Sequence, residues 1–356
     1  MTQVFYPELG YWTLGGHIPD PKPIIAEAKE GERLGLSTIW ISERPGTKDV
    51  GVLSGAALAA APRSTIATGL IQNLQTRNPL AVASYASTMM LMTDNKFILG
   101  VGHGQPKLSA MFGAPNSTLP LIGRYIETLR ALWRGETVTA ASDGWALNNA
   151  ALGANLDVMP PIYMAGVGDK SLAWAGKNAD GVLLFSCMNK RAVEHSVRVV
   201  RTAAEEAGRD PAAVKICAVA VTACDVDEEK MLNYVVRRMN TYFMLPMIDV
   251  LVRVNQWDPV KAEQIKAAVL GQASKAKGSM GDEGASRDLD DLRRYRDMYP
   301  EEWINECNAV GNADTCGAFI RSLLDAGADK VIIHGSPPSD LGSLMQAWPK
   351  HRPSYL

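Results

Sequence analysis

Between Ser64 and Gly104 the chain reads STIATGLIQ, NLQTRNP, LAVASYASTMMLMTD and NKFILGVGHG, and no other stretch limits the possible folds as much. The outer runs are short, apolar and rich in β-branched residues, and each stops at glycine or polar residues. The middle run repeats apolar side chains at helical spacing over about four turns. Asn78 before Pro79 marks the helix start, because proline's fixed φ and missing N–H suit a first turn, and Thr93-Asp94-Asn95 marks its end. Two strands apolar on both faces with a helix between them make a right-handed parallel βαβ unit. Gly69 interrupts the first strand, where a glycine marks a bulge or the close approach of another group. Gly100, Gly102 and Gly104 alternate around Val101 and His103, so one face of the second strand's end carries no side chains. A flat ring can lie on such a face.

The rest of the chain repeats this alternation. Strands are predicted at Leu9–Leu14, Ser37–Ser42, Pro161–Ala165, Asp180–Phe185, Val214–Thr222 and Lys330–His334. Helices are predicted at Pro21–Leu34, Asp49–Ala61, Leu119–Trp133, Lys170–Lys177, Arg191–Gly208, Ala313–Ala326 and Ser339–Trp348, with a small hairpin over Thr137–Leu147. Eight strands alternating with helices are the count of an α/β protein of the (β/α)8 TIM-barrel type, whose active site lies at the C-terminal strand ends; a doubly wound sheet is the alternative. Residues 1–356 read as one domain, with a mostly helical insertion, 223–312, between strands seven and eight. Its Met231, Met239, Met244 and Met247 suit either an insertion with its own core or a wall over the barrel mouth, and Gly271–Gly284 reads as mobile.

Composition excludes several classes of partner. The 356 residues carry a formal charge of −2 with no block of like charges, so neither nucleic acid nor a membrane surface is expected, and the partner is a small molecule. Apolar stretches such as Val52–Ala61 fall short of the roughly 20 residues of a membrane span, and no basic-then-apolar leader opens the chain, which reads as cytoplasmic. Five scattered cysteines without a CxxC pair suggest buried thiols, and the five histidines show no metal-ligand spacing, so no metal is expected.

Chemistry-bearing residues gather at the predicted strand ends. Strand two ends in Ser42-Glu43-Arg44, strand four in His103-Gly104-Gln105, strand five in Gly166-Val167-Gly168-Asp169-Lys170-Ser171 and strand eight in His334. The strand-five turn runs straight into a helix, so its N–H groups suit a phosphate at the positive end of the helix dipole. With the side-chain-free face after strands three and four, this describes a cofactor with a planar ring and a phosphate tail, as flavins and deazaflavins have.

On these residues the chain resembles the bacterial-luciferase-like superfamily. The segments AEAKEGERLGLSTIWISE, TGLIQNLQTRNPLAVASYASTMMLMTDNKFILGVGHG, PIYMAGVGDKSLAWAGKNADGVLL and LLDAGADKVIIHGSPP carry the likeness, over residues 9–222 and 313–348. Within the superfamily it is most similar to the branch using the deazaflavin coenzyme F420, which includes the F420-dependent glucose-6-phosphate dehydrogenases. The resemblance implies a TIM barrel with an insertion after strand seven, and a non-proline cis peptide in strand three behind the ring, where Gly69–Leu70 falls. It implies a cofactor site of Ser42, Glu43, Gly69, Leu70, Gln72, Gly102, His103, Gly104, Ala165, Gly166, Val167, Gly168 and Asp169. Two departures matter: those dehydrogenases end strand two in Asp-His, here Glu43-Arg44, and place a glutamate acid where Gln105 stands. An amide cannot exchange a proton as a carboxylic acid does, so glucose-6-phosphate is rejected as substrate. His103 is the nearest replacement, since histidine exchanges protons near neutral pH. Glu43 is the second candidate, unless it is spent in a salt bridge with Arg44. Trp12, His17, Arg44, Gln105 and His334 are candidate substrate contacts. The implied activity is hydride transfer between deazaflavin C5 and a small organic substrate; the alternatives are an FMN-dependent monooxygenase and a non-enzymatic flavin-binding barrel. A homodimer is expected from the superfamily's habit and from the apolar Val52–Ala61 and Met89–Met92 runs.

Overall fold

Eight parallel strands close on themselves in the computed structural model: β1 (Tyr6–Trp12), β2 (Leu36–Ile41), β3 (Thr65–Thr68), β4 (Phe97–Gly102), β5 (Ile162–Gly166), β6 (Gly181–Leu184), β7 (Lys215–Cys224) and β8 (Lys330–His334). The structure describes residues 4–16, 20–44, 47–104, 106–154, 156–273 and 286–356. Closure is direct: β7 pairs with both β6 and β8, and β8 pairs with β1 through Leu9↔Val331, Gly10↔Ile332 and Tyr11↔Ile333. The sheet is therefore a barrel and not a doubly wound sheet. Helices cover the outside, and their starts follow from the chain chemistry: Asp49, Asn78, Thr118, Asn189 and Asn312 each accept a first-turn N–H with the side chain. Trp40, Ala67, Ile98, Tyr163, Leu183, Cys217, Val219 and Ile332 fill the barrel interior, and partly exposed Trp12, Leu70 and Ala165 close it toward the mouth.

Three strands differ from the sequence pattern by more than one residue at an end or by a break, each for a local reason. β1 stops at Trp12 because Glu27, pointing up from the following helix, accepts the N–H groups of Leu14 (2.8 Å) and Gly15 (3.1 Å) and the Thr13 hydroxyl, taking that backbone out of the sheet. β3 breaks after Thr68 and resumes as Ile71–Gln72 beside β4, with the Gly69–Leu70 peptide cis as the resemblance implied. β7 runs two residues beyond Thr222 because a short strand, Ala309–Gly311, pairs alongside Thr222–Cys224. Three residues are too few to show alternation in a sequence that otherwise reads as helix.

The insertion between β7 and β8 has its own aromatic core, in which Trp257 stacks on Trp303 with centroids 4.6 Å apart and Phe243 lies 6.1 Å from Trp257. It also walls the barrel mouth. The Tyr242 ring sits 4.8 Å from Phe185 just after β6, and its hydroxyl donates to Ser186 Oγ at 2.8 Å. Tyr234 and Lys230 reach Asp340, beyond β8, at 2.8 and 2.9 Å. Of the passage Gly271–Gly284, residues 274–284 lie outside the described residues. Among the described residues no helix is long and apolar enough to cross a membrane.

Candidate functional site

The mouth has a flat floor where β3, β4 and β5 end. A Cβ on Gly102 would stand 2.8 Å from Leu70 Cδ1 and 3.6 Å from Ala165 Cβ, so the absence of a side chain at 102 lets Leu70 lie close over this backbone, beside Ala165. One on Gly69 would meet the Trp12 ring at 2.9 Å. Trp12 is held there: its Nε1–H donates to Ser42 Oγ at 2.6 Å, and the Ser42 hydroxyl donates to the Gly69 carbonyl at 3.1 Å, tying β1, β2 and β3 together. On the other side of Trp12 lies the buried His334, its ring centroid 4.9 Å away. Trp12, Ser42, Gly69, Leu70 and His334, each expected from the sequence, thus form one rim.

Glu43 is 1% exposed, and both its oxygens accept bonds from the fold: Oε1 from Arg77 Nε at 2.6 Å and Oε2 from the Gln72 N–H at 2.7 Å. Burial pushes its carboxyl above the ordinary carboxylate range, with the Arg77 charge and the Gln72 N–H opposing that shift. Its salt-bridge partner is therefore Arg77 and not the adjacent Arg44, which lies beside Lys48 on an isolated bridge. Arg77 also reaches Asp49, at 3.4 Å. Glu43 fixes the backbone beyond the Gly69–Leu70 bend.

His103 stands at the edge of the glycine strip, half-buried, with Nδ1 3.0 Å from the Ser117 carbonyl. A carbonyl only accepts, so Nδ1 carries the hydrogen and, in the neutral ring, Nε2 holds the lone pair. Gly104, at φ +68, packs against Asn73, where a Cβ would stand 2.8 Å from Asn73 N.

At the β5 end the chain turns through Gly166, Val167 and Gly168 into the helix Asp169–Asn178. Gly168 occupies the cap position and no side chain accepts the first-turn N–H groups, unlike the five capped helices above. The Ser171 hydroxyl donates back to the Gly168 carbonyl at 2.8 Å, and Asp169 meets His195 Nε2 at 2.9 Å. A Cβ on Gly168 would make only an ordinary contact, 3.6 Å from Val250 of the insertion.

His17 and Gln105 lie outside the described residues. Sequence reasoning passed over Asn73, Arg77, Ser117 and His195, all of which meet partners distant in the chain; Tyr242, one of the insertion's core-or-wall residues, meets Ser186 and Phe185. For Arg77 a signal existed: it is the one charged residue between Arg63 and Asp94.

Residues 6–330 match the family model described as luciferase-like monooxygenase. The chain is 27% identical over 321 residues to the 5,10-methylenetetrahydromethanopterin reductase of Methanolobus tindarius, covering 89% of this chain and 91% of the relative. It is 25% identical over 340 residues to the F420-dependent glucose-6-phosphate dehydrogenase of Amycolatopsis mediterranei, covering 88% and 89%. The coenzyme F420-dependent tetrahydromethanopterin reductase of Methanopyrus kandleri has the same fold, with a TM-score of 0.78 and 21% identity over 97% of this chain and 99% of that one.

Proposed function

The chain belongs to the luciferase-like monooxygenase family, and from that premise we propose that it is an F420-dependent oxidoreductase acting on a small organic substrate other than glucose-6-phosphate. The observation that carries this is the seat at Gly102, where Leu70 lies close over side-chain-free backbone beside Ala165, with His103 next along the strand end. A deazaflavin fits the residues present: Leu70, lying close over the side-chain-free backbone at Gly102 beside Ala165, offers an apolar seat to a planar ring, and the first turn after Gly168 offers N–H groups to a phosphate. When bound, coenzyme F420 supplies or accepts a hydride at C5. The chain's own part is to seat the ring on Leu70, Gly102 and Ala165, to hold the tail at Gly166–Asp169, to wall off water with Trp12, His334 and Tyr242, and to move a proton at His103 Nε2. Glu43 serves by positioning Gln72 through its buried bond. Fluorescence titration of the apo-protein with F420 and with FMN tests the reading. F420 is expected to bind at least ~10-fold tighter, a difference of about 1.4 kcal/mol; the reverse order would establish the FMN monooxygenase alternative that the family name favours.

The tail site makes its own prediction. Gly168→Glu places a negative side chain at the helix N-terminus without crowding Val250, and should weaken F420 binding by ~2 kcal/mol or more, about thirtyfold. Unchanged affinity would put the phosphate elsewhere.

We also propose a homodimer. The helices Val50–Ala60 and Pro79–Met92 contain no charged residue, and they expose Val52 (73%), Leu91 (60%) and Met92 (60%). Light scattering at micromolar concentration should give twice 38.4 kDa for the parent and 38.4 kDa for Val52→Lys; a monomeric parent overturns the claim. Cytoplasmic residence accords with five cysteines that are all free and buried.

A further inference from the structure

Asn73 is fully buried and takes a left-handed conformation, φ +48, just past the Ile71–Gln72 strand segment. Its side chain reaches both ends of the excursion between β4 and the helix Leu119–Trp133. Oδ1 accepts the Ser117 hydroxyl at 2.7 Å, and Nδ2 donates to Ser109 Oγ. Its backbone carbonyl accepts the Thr76 hydroxyl at 2.9 Å and the Thr76 N–H at 3.0 Å, and Gly104 packs on its Cβ. Ser109 and Ser117 are 1% and 7% exposed, so this is a buried polar network in which each of the two serines has a side-chain partner in Asn73. The Ser117 carbonyl is the group that receives His103 Nδ1–H.

On the reading of His103 as the proton-exchanging group, we infer that Asn73 and Ser117 are positioning residues which hold His103 in its Nδ1–H tautomer. A histidine side chain free in water prefers hydrogen on the other nitrogen, so the Nδ1–H form persists only where an acceptor is held in place for it. Ser117 offers that acceptor with its carbonyl, and the hydroxyl of the same residue is anchored by Asn73. Nε2 is then the single atom of His103 that takes up a proton, and releases it once charged. Asparagine suits the anchor on three counts: it tolerates left-handed backbone, its Oδ1 accepts from Ser117, and its Nδ2 donates to Ser109.

The test needs neither cofactor nor substrate. Two-bond nitrogen–proton correlation spectra of protein labelled with ¹⁵N histidine report which ring nitrogen is protonated, with the His103 signals assigned by their loss in His103→Asn. The parent should show the Nδ1–H pattern. Ser117→Ala, and separately Asn73→Gly, which keeps the left-handed backbone accessible, should shift the tautomer ratio roughly fivefold toward Nε2–H, the factor one ordinary hydrogen bond carries. Ser117→Thr, which retains the hydroxyl, should restore the parent pattern. An Nε2–H parent, a Ser117→Ala spectrum like the parent's, or a failed rescue by threonine would each show that the network only holds the loop, and would overturn the inference. A wrong cofactor assignment shows itself separately, in the F420 and FMN titrations.

Discussion

His103→Asn is expected to bind F420 within a few-fold of the parent while losing at least ~10²-fold in turnover. A hydride passing between C5 and a substrate carbon must be matched by a proton on the substrate. At the end of β4, His103 has Nδ1 committed to the Ser117 carbonyl, which in the neutral ring leaves the lone pair on Nε2. Glu43 does not offer the same: one oxygen takes Arg77 and the other the Gln72 N–H, so both are already engaged by the fold. Asparagine keeps much of the histidine's volume and can still donate to Ser117, so the floor beside Gly102 should persist and binding with it. Steady-state kinetics beside a fluorescence titration separates the two effects. A variant that turns over like the parent would move the proton role to Glu43 or His334 and leave His103 as packing at the ring edge.

Much of this site was legible because it lies in local pattern. Pro79 after Asn78 gave the helix start, and Asn78 does accept the Leu80 N–H at 2.9 Å. The helix Leu119–Trp133 and the strand Lys330–His334 have the ends that periodicity assigned them. What stayed hidden depends on register. Trp12 and Ser42 are thirty residues apart and meet only because β1 and β2 align Trp12 with Trp40; nothing in either strand's alternation says so. Arg77 as the partner of Glu43, in place of its neighbour Arg44, follows from where Gln72 rejoins β4 after the bend, a position that periodicity cannot supply. The strand Ala309–Gly311 was missed because three residues beside a helical run carry no period. The role of the insertion turned on Tyr242, whose aromatic side chain would have suited an interior core as well as it suits the wall beside Phe185.

Gly100→Ala should be among the most damaging single-methyl changes at the described glycines, costing ~3 kcal/mol or more of stability and taking cofactor binding with it. Its Cβ would lie 2.0 Å from the Thr68 carbonyl oxygen, a backbone atom with no rotamer to escape into. That contact is close for a reason: the Thr68 hydroxyl donates to the Gly100 carbonyl at 2.9 Å and accepts the Gly100 N–H at 2.8 Å, so one side chain stands in for the ladder between the Ala67↔Ile98 and Ile71↔Val101 pairings. A methyl group must drive β3 and β4 apart where both are fully buried, losing that double bond and shifting the Gly69–Leu70 floor against which Trp12 packs. Gly153→Ala, with nothing within 4 Å of its added Cβ, is the matched control and should stay within about 0.5 kcal/mol of the parent. Denaturant midpoints compared at unchanged slope measure both, and a Gly100→Ala midpoint equal to the control's would mean that β3 and β4 can separate at little cost. The glycine face of β4 would then be a feature kept for the ligand alone. A midpoint that falls as expected shows instead that the glycine at 100 is demanded by the barrel, whereas an added Cβ at 102 would meet only the Leu70 side chain, which can move, and the Ala165 methyl.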